Sequence, residues 1–250
     1  MKRIKSRIIS NKRLSPDLFL LTFTSSGVEN EILPGNFINI EITKSQDPFL
    51  RRPFSIFDVS EGMISILYRV VGKGTEIMKM LDSGKQIDFI GPLGNSYPLF
   101  EADDFTFVAG GTGIASIHYM LKTVKNKYPS SKRTLYWGAK NRYDFILKNE
   151  IEALCTDINY TTEEGDFGNK GFITDFVRVN NNKTTLYACG PTPMLRSLHK
   201  KTIGIPSYYS FEKRMACGVG VCLGCAITAK DGKYRYVCKD GPVFPGDEIF

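Results

Sequence analysis

Histidine and tryptophan are scarce: the 250 residues include two histidines, His118 and His199, and one tryptophan. A metal centre or catalytic triad built on histidine therefore has little to stand on, and His118, on a helix after a glycine turn, reads as a packed or surface residue. No stretch reaches the roughly 20 apolar residues that a membrane-spanning helix needs. No internal repeat or low-complexity segment is present. Lys and Arg outnumber Asp and Glu by 33 to 26, a formal charge of +7, but the basic residues are scattered. Their one mild run, Lys122 to Arg133, reads as a solvated face rather than a nucleic-acid site. Met1 to Arg7 lead straight into an alternating strand pattern, so a secretory signal is not expected and a reducing, cytoplasmic setting is.

What is abundant is cysteine near the end of the chain. Four of the six cysteines fall within 22 residues, Cys217, Cys222, Cys225 and Cys238, spaced C-x4-C-x2-C-x12-C. Thiolates are soft ligands for iron, and this is the plant-type [2Fe–2S] spacing. Gly218, Gly220 and Gly224 allow the tight turns that aim N–H groups at cluster sulfurs. A zinc knuckle and a pair of disulfides are the competing readings. Zinc sites generally use two short Cys pairs, and disulfides suit an oxidising compartment.

Residues 1–99 read as short strands separated by turns: Lys5 to Ser10, Leu18 to Thr24, Phe37 to Ile42 and Ile64 to Val70. The expected architecture is a small antiparallel barrel. Two places in it carry chemistry. Arg51-Arg52-Pro53-Phe54-Ser55 offers a guanidinium fork for a phosphate and a hydroxyl for a ring nitrogen. Tyr68-Arg69-Val70-Val71-Gly72-Lys73-Gly74-Thr75 ends a strand in a Gly-x-Gly turn before a helix over Thr75 to Leu81, a setting for an anion. Surface charge and a plain turn explain the same residues equally well.

Residues 100–205 alternate strand and helix, which predicts a parallel α/β sheet. The strand Phe105 to Ala109 runs into Gly110-Gly111-Thr112-Gly113 and a helix from Ile114 to Tyr128, the geometry that cradles a pyrophosphate. A plain βα turn is the alternative. Further strands are expected at Arg133 to Gly138, Asp157 to Thr161 and Thr184 to Gly190. Helices are expected over Ile146 to Leu154, from Gly171 to Phe176, and over Pro193 to Lys201. Ligands bind such sheets at the carboxyl ends of the strands, which brings Gly110 to Gly113, Gly138 and Cys189-Gly190-Pro191 to one edge. Cys189 reads either as a neighbour of the reacting ring or as a small buried hydrophobe. Cys155 reads as core.

Arg52-Pro53-Phe54-Ser55, Gly74-Thr75, Gly91-Pro92-Leu93-Gly94-Asn95, Gly110 to Ile114 and Cys189-Gly190-Pro191 together resemble the ferredoxin–NADP reductase superfamily. The resemblance implies FAD at Arg52, Pro53, Phe54, Ser55, Tyr68, Arg69, Val70, Gly74 and Thr75. It implies NAD at Gly110, Gly111, Thr112, Gly113, Cys189, Gly190 and Pro191. Where many members carry tyrosine this chain has Phe54, which stacks but offers no hydroxyl. The terminal block, Glu212 to Cys225 and then Cys238-Lys239-Asp240-Gly241-Pro242-Val243-Phe244, resembles the electron-transfer subunits of class 1B dihydroorotate dehydrogenases. That likeness implies three modules: a FAD-binding barrel (1–99), an NAD-binding α/β unit (100–205) and a [2Fe–2S] unit (206–250), with Cys217, Cys222, Cys225 and Cys238 as ligands. It also implies a catalytic partner that carries FMN, a heterotetramer with two copies of each subunit, electron flow from that partner through the cluster and FAD to NAD+, and a place in pyrimidine biosynthesis. No acid–base residue is required on this chain. A reductase subunit of an electron-bifurcating or hydrogenase-type complex is the alternative within the same fold, and a zinc-containing interaction module is the alternative outside it. Lys140 and Arg142 lie near the expected ribose, which leaves NAD against NADP open at this stage.

Overall fold

The computed structural model describes residues 2–179 and 183–250. Six strands close a barrel: β1 (Lys2–Arg13), β2 (Leu18–Thr24), β3 (Phe37–Glu41), β4 (Arg52–Ser60), β5 (Met63–Arg69) and β6 (Gln86–Leu93). Their order around the barrel is β1-β2-β5-β4-β3-β6 and every neighbouring pair is antiparallel. Alternation explains the closure, because inward residues such as Ile8, Leu21, Phe23, Ile38, Ile40, Ile64, Ile66 and Phe89 are fully or almost fully buried. A short helix, α1 (Lys73–Met78), follows β5.

The second unit is a seven-stranded sheet. Its strands are β7 (Asp104–Gly110), β8 (Lys132–Ala139), β9 (Asp157–Thr162), β10 (Asn169–Lys170), β11 (Thr184–Cys189), β12 (Ser207–Ser210) and, after the two-stranded ribbon β13 (Ala226–Thr228) and β14 (Tyr234–Tyr236), β15 (Val243–Pro245). The order is β10-β9-β8-β7-β11-β12-β15. All neighbours are parallel except β15, which runs antiparallel on β12. The helices are α2 (Ile114–Lys127), α3 (Lys148–Glu152), α4 (Thr192–Lys201) and α5 (Gly246–Ile249). The chain steps outward from β7 to β8, β9 and β10, then resumes on the other side of β7 with β11. That reversal opens a crevice above the carboxyl ends of β7 and β11.

One expectation about an element fails. The helix expected from Gly171 is a single 3-10 turn, Ile173–Asp175. Gly171 enters it at a φ of +128°, and the β-branched Val177 and Val179 that follow do not favour a helix. Beyond residue 205, β12 and β15 both join the sheet.

Helix α2 fastens the barrel to the sheet. His118 lies on its buried face, stacked on Phe57 at 3.9 Å between ring centroids, with Nδ1 2.9 Å from the Phe57 carbonyl. Burial pushes its pKa down, and the ring serves packing at this seam. One turn on, Lys122 pairs with Asp58 at 2.7 Å.

Candidate functional site

A cleft of about 760 Å³ opens on the barrel between β4 and the β5–α1 turn. Arg52, Pro53, Phe54, Ser55, Tyr68, Arg69, Gly74 and Thr75 line it. The Arg51-Arg52 pair separates cleanly. Arg51 turns away from the cleft and binds Asp88 Oδ1 at 2.6 Å and the carbonyls of Asn39 and Asp88. Arg52 faces the cleft and packs beside Gly74, where a Cβ would come 3.3 Å from Arg52 Nε. A guanidinium above a bare glycine is a cradle of phosphate size. Thr75 also braces the turn. Its hydroxyl accepts the N–H groups of Val71 (2.9 Å) and Gly72 (3.2 Å), so it holds the turn and those two donors face inward. Val70 stands outside the cleft lining and packs on the barrel core, on the opposite side of the chain from Arg69.

A second cleft, of about 960 Å³, lies at the crevice of the sheet. Gly110, Gly111, Thr112, Gly138, Gly190 and Pro191 line it. Gly111 adopts a φ of +53°, and a Cβ there would meet open space, so backbone alone faces the ligand side. Helix α2 begins immediately after this turn, and its N-terminal positive potential suits a pyrophosphate. Gly113 and Cys189 stand behind the surface instead. A Cβ on Gly113 would fall 2.2 Å from the Cys189 carbonyl oxygen, so that glycine lets α2 seat against β11. Cys189 is fully buried among Tyr97, Ser116 and Ser210, and burial pushes its thiol well above the usual range.

The two clefts share Arg69, Thr112 and Glu212, which mark the junction between them. Arg69 is engaged by Asp17 and Asp144, each at 2.6 Å, and so braces the barrel against the sheet with its charge already balanced. Sequence reading placed Glu212 at the head of the terminal block but gave it no role. Its carboxyl is open to water along the cleft but otherwise walled in by protein, and the resulting desolvation pushes its pKa up. Its sequence signal is its place at the start of the block that runs to the cluster cysteines.

Of the two basic residues near the expected ribose, Lys140 lines the sheet cleft. Arg142 is drawn to Asp166 through its backbone N–H and its guanidinium, and does not line the cleft. Glu163, at the carboxyl end of β9, does line it, with the exposed ring of Phe172 nearby. A carboxylate there accepts a ribose hydroxyl and repels a phosphate.

The four cysteines form a loop beside β3. Backbone N–H groups donate to their sulfurs: Val219 and Cys222 to Cys217 Sγ, both at 3.4 Å, Gly220 to Cys238 Sγ at 3.1 Å, and Cys238 to Cys225 Sγ at 3.3 Å. Gly218 and Gly220 adopt φ values of +70° and +82°, as the tight turns require. Burial opposes ionisation of Cys217, but the surrounding N–H donors outweigh it and hold that thiol down to about 6. Burial and the neighbouring Cys225 push Cys238 up to about 12. All four thiols are free, with Cys225 and Cys238 sulfurs 3.3 Å apart, far beyond a disulfide bond. Soft sulfurs wrapped in N–H donors fit a negatively charged iron–sulfur cluster. The apolar residues exposed at the loop tip are Val221 and Leu223, whereas Val219 packs inward.

Comparison with known proteins agrees with each part. Residues 5–97 match an oxidoreductase FAD-binding domain, residues 107–200 an oxidoreductase NAD-binding domain, and residues 212–250 the iron–sulfur cluster binding domain of dihydroorotate dehydrogenase B. The electron transfer subunit of dihydroorotate dehydrogenase B (NAD(+)) from Caldanaerobacter subterraneus subsp. tengcongensis is 35% identical, over 99% of this chain and 98% of its own. A homologue of that subunit from Aquifex aeolicus is 31% identical, over 100% and 99%. A solved structure of the NADH-dependent reduced ferredoxin-NADP oxidoreductase, studied for flavin-based electron bifurcation, superposes with a TM-score of 0.86 at 28% identity, covering 98% of this chain and 89% of that one. With a flavin-type barrel cleft, a dinucleotide crevice and a four-cysteine loop in one chain, and full-length likeness to these relatives, the protein belongs to the family of dihydroorotate dehydrogenase B electron transfer subunits.

Proposed function

We propose that this chain carries electrons from an FMN-bearing dihydroorotate dehydrogenase subunit to NAD+, in a cytoplasmic complex with two copies of each subunit and no role for nucleic acid. The observation that carries the reading is adjacency: the barrel and sheet clefts meet at Arg69, Thr112 and Glu212, and the cysteine loop touches the barrel wall at Asn39. Among the described residues no helix is long and apolar enough to cross a membrane. A flavin bound in the barrel cleft supplies the exchange between single electrons and hydride that neither a [2Fe–2S] cluster nor a nicotinamide performs alone. The chain's own residues bind and position: Arg52 and Gly74 hold phosphate, Ser55 faces the ring site, and the Gly110 to Thr112 turn receives the dinucleotide. The test is dihydroorotate-dependent reduction of NAD+ by the complex purified from its host. Absence of that activity, with NADH oxidation by a dye intact, would remove the assigned electron donor. The likeness to the ferredoxin-NADP oxidoreductase supports a second reading, a reductase subunit of a bifurcating complex, and NADH oxidation coupled to reduced ferredoxin and NADP+ would favour it.

Two residues carry further expectations. Glu212, when ionised, places a negative charge where the two clefts meet, which favours the positively charged ring of NAD+ over neutral NADH. Glu212→Gln is expected to weaken NAD+ relative to NADH by about fivefold, or ~1 kcal/mol for a charge at moderate distance in a partly screened site. Because desolvation raises the Glu212 pKa, the wild-type preference should fade as pH falls through a point above the usual carboxylate range, and the variant should show no such limb. Equal dissociation constants for the two proteins across that range would remove this role. For Glu163, substitution by Arg should shift the NAD+ to NADP+ ratio of kcat/KM towards NADP+ by roughly tenfold or more, about 1.4 kcal/mol. An unchanged ratio would place the ribose elsewhere.

A further inference from the structure

Strand β3 lies between the barrel cleft and the cysteine loop. Phe37 lines the cleft and belongs to the same buried cluster as Cys225 and Cys238. Two residues along, and so on the same face of the strand, Asn39 is fully buried. Its Nδ2 donates to the Cys217 carbonyl at 3.3 Å, and its Oδ1 has no partner among the described residues. The loop comes close enough for this because of Gly218, where a Cβ would fall 2.6 Å from Asn39 Nδ2. Across the ladder Phe37 faces Ser55 and Asn39 faces Pro53, so the flavin-side motif is one strand away.

A buried amide with one end unsatisfied is costly, and leucine would fill the same volume in a barrel wall at no such cost. The polar group therefore has to be explained by what its satisfied end touches. We propose that Asn39 is a positioning residue for the cluster: it ties the Cys217 carbonyl to the barrel and thereby sets the potential of the metal centre relative to the flavin. The proposal rests on the reading that Cys217, Cys222, Cys225 and Cys238 hold a [2Fe–2S] cluster. With the carbonyl of Cys217 fixed and Gly218 in the left-handed region, the next N–H, that of Val219, points back at Cys217 Sγ. Hydrogen bonds to ligand sulfurs offset their negative charge and influence the potential. Releasing the carbonyl loosens that donor and makes the cluster harder to reduce.

The experiment uses the full chain with FAD and cluster reconstituted, as wild type, Asn39→Leu, Asn39→Asp and Asn39→Ser. The readouts are FAD content, NADH oxidation by a dye, the electron paramagnetic resonance spectrum of the reduced cluster, and its midpoint potential. Leu and Asp are expected to leave FAD content and dye activity unchanged, to alter the g-values, and to shift the cluster–flavin equilibrium about tenfold against the cluster, a one-electron change of about 59 mV. Ser, which keeps a donor, should stay nearer the wild type. An unchanged spectrum and midpoint at full iron loading would overturn the proposal. So would loss of FAD in the same variants, which would make Asn39 a residue of the barrel core. Failure of the wild type itself to take up iron would remove the cluster reading, a result distinct from either.

Discussion

Cys222→Ser is expected to stop dihydroorotate-dependent NAD+ reduction while leaving NADH oxidation by an artificial acceptor close to wild type. Cys222 is the cleanest of the four cysteines to replace. It is exposed at the loop tip, whereas Cys225 and Cys238 are 2% and 4% accessible, and a hydroxyl in their place would enter the core beside Val237 and Phe244. Loss of a direct ligand should cost more than the 10–100-fold typical of an outer hydrogen-bond partner, so the loss of coupled activity is put at roughly 100-fold or more. The clefts for FAD and NAD lie apart from Cys222 and share none of its contacts, which is why the dye reaction survives. Measuring both rates together with iron and FAD content separates the cases. If the dye reaction also vanished with FAD still bound, the proposed order of electron carriers would be wrong.

The parts of this fold that could be read from the chain are those governed by local pattern. Leu18–Thr24 appears as a strand because apolar, aromatic and β-branched residues run together between turn signals, and Ile114–Lys127 appears as a helix because its apolar residues recur at helical spacing after a glycine turn. Strand β4 was hidden by its own chemistry, since Arg52, Pro53 and Asp58 interrupt the pattern at the place where the site needs them. Strands β12 and β15 are four and three residues long and owe their existence to a neighbour across the sheet rather than to their sequence. The cysteine ligands were legible because iron chemistry imposes a spacing. The roles of Glu212 and Asn39 were not, although Glu212 stands at the head of the terminal block. One owes its place to the meeting of two clefts, the other to a loop 178 residues further on. The glycines were the most easily misassigned. Gly111 faces a ligand and Gly113 a strand, yet in the sequence they are interchangeable members of one turn.

Arg52→Ala is expected to weaken FAD binding by roughly 10- to 150-fold, the equivalent of the 1.5–3 kcal/mol typical of a hydrogen bond to a charged group. The neighbouring arginine supplies the control. Arg51 is 17% exposed and bound to Asp88, to two carbonyls and, at 3.6 Å, to Glu41, so it ties β3, β4 and β6 together. Removing it leaves Asp88 and those carbonyls short of a partner, and the effect should appear as a lower Tm of the apoprotein. Among the described residues Arg52 donates only to the Leu50 carbonyl at 2.6 Å and the Arg51 carbonyl at 3.3 Å, on its own stretch of chain. Its loss should leave the apoprotein Tm nearly unchanged and raise the dissociation constant of FAD, with dye activity restored by added FAD. Arg52→Lys should recover part of the affinity, since a point charge replaces the planar fork that grips two phosphate oxygens at once. The opposite pattern, with FAD retained by Arg52→Ala and lost from Arg51→Ala, would exchange the roles of the two residues and move the phosphate to the β6 side of the barrel.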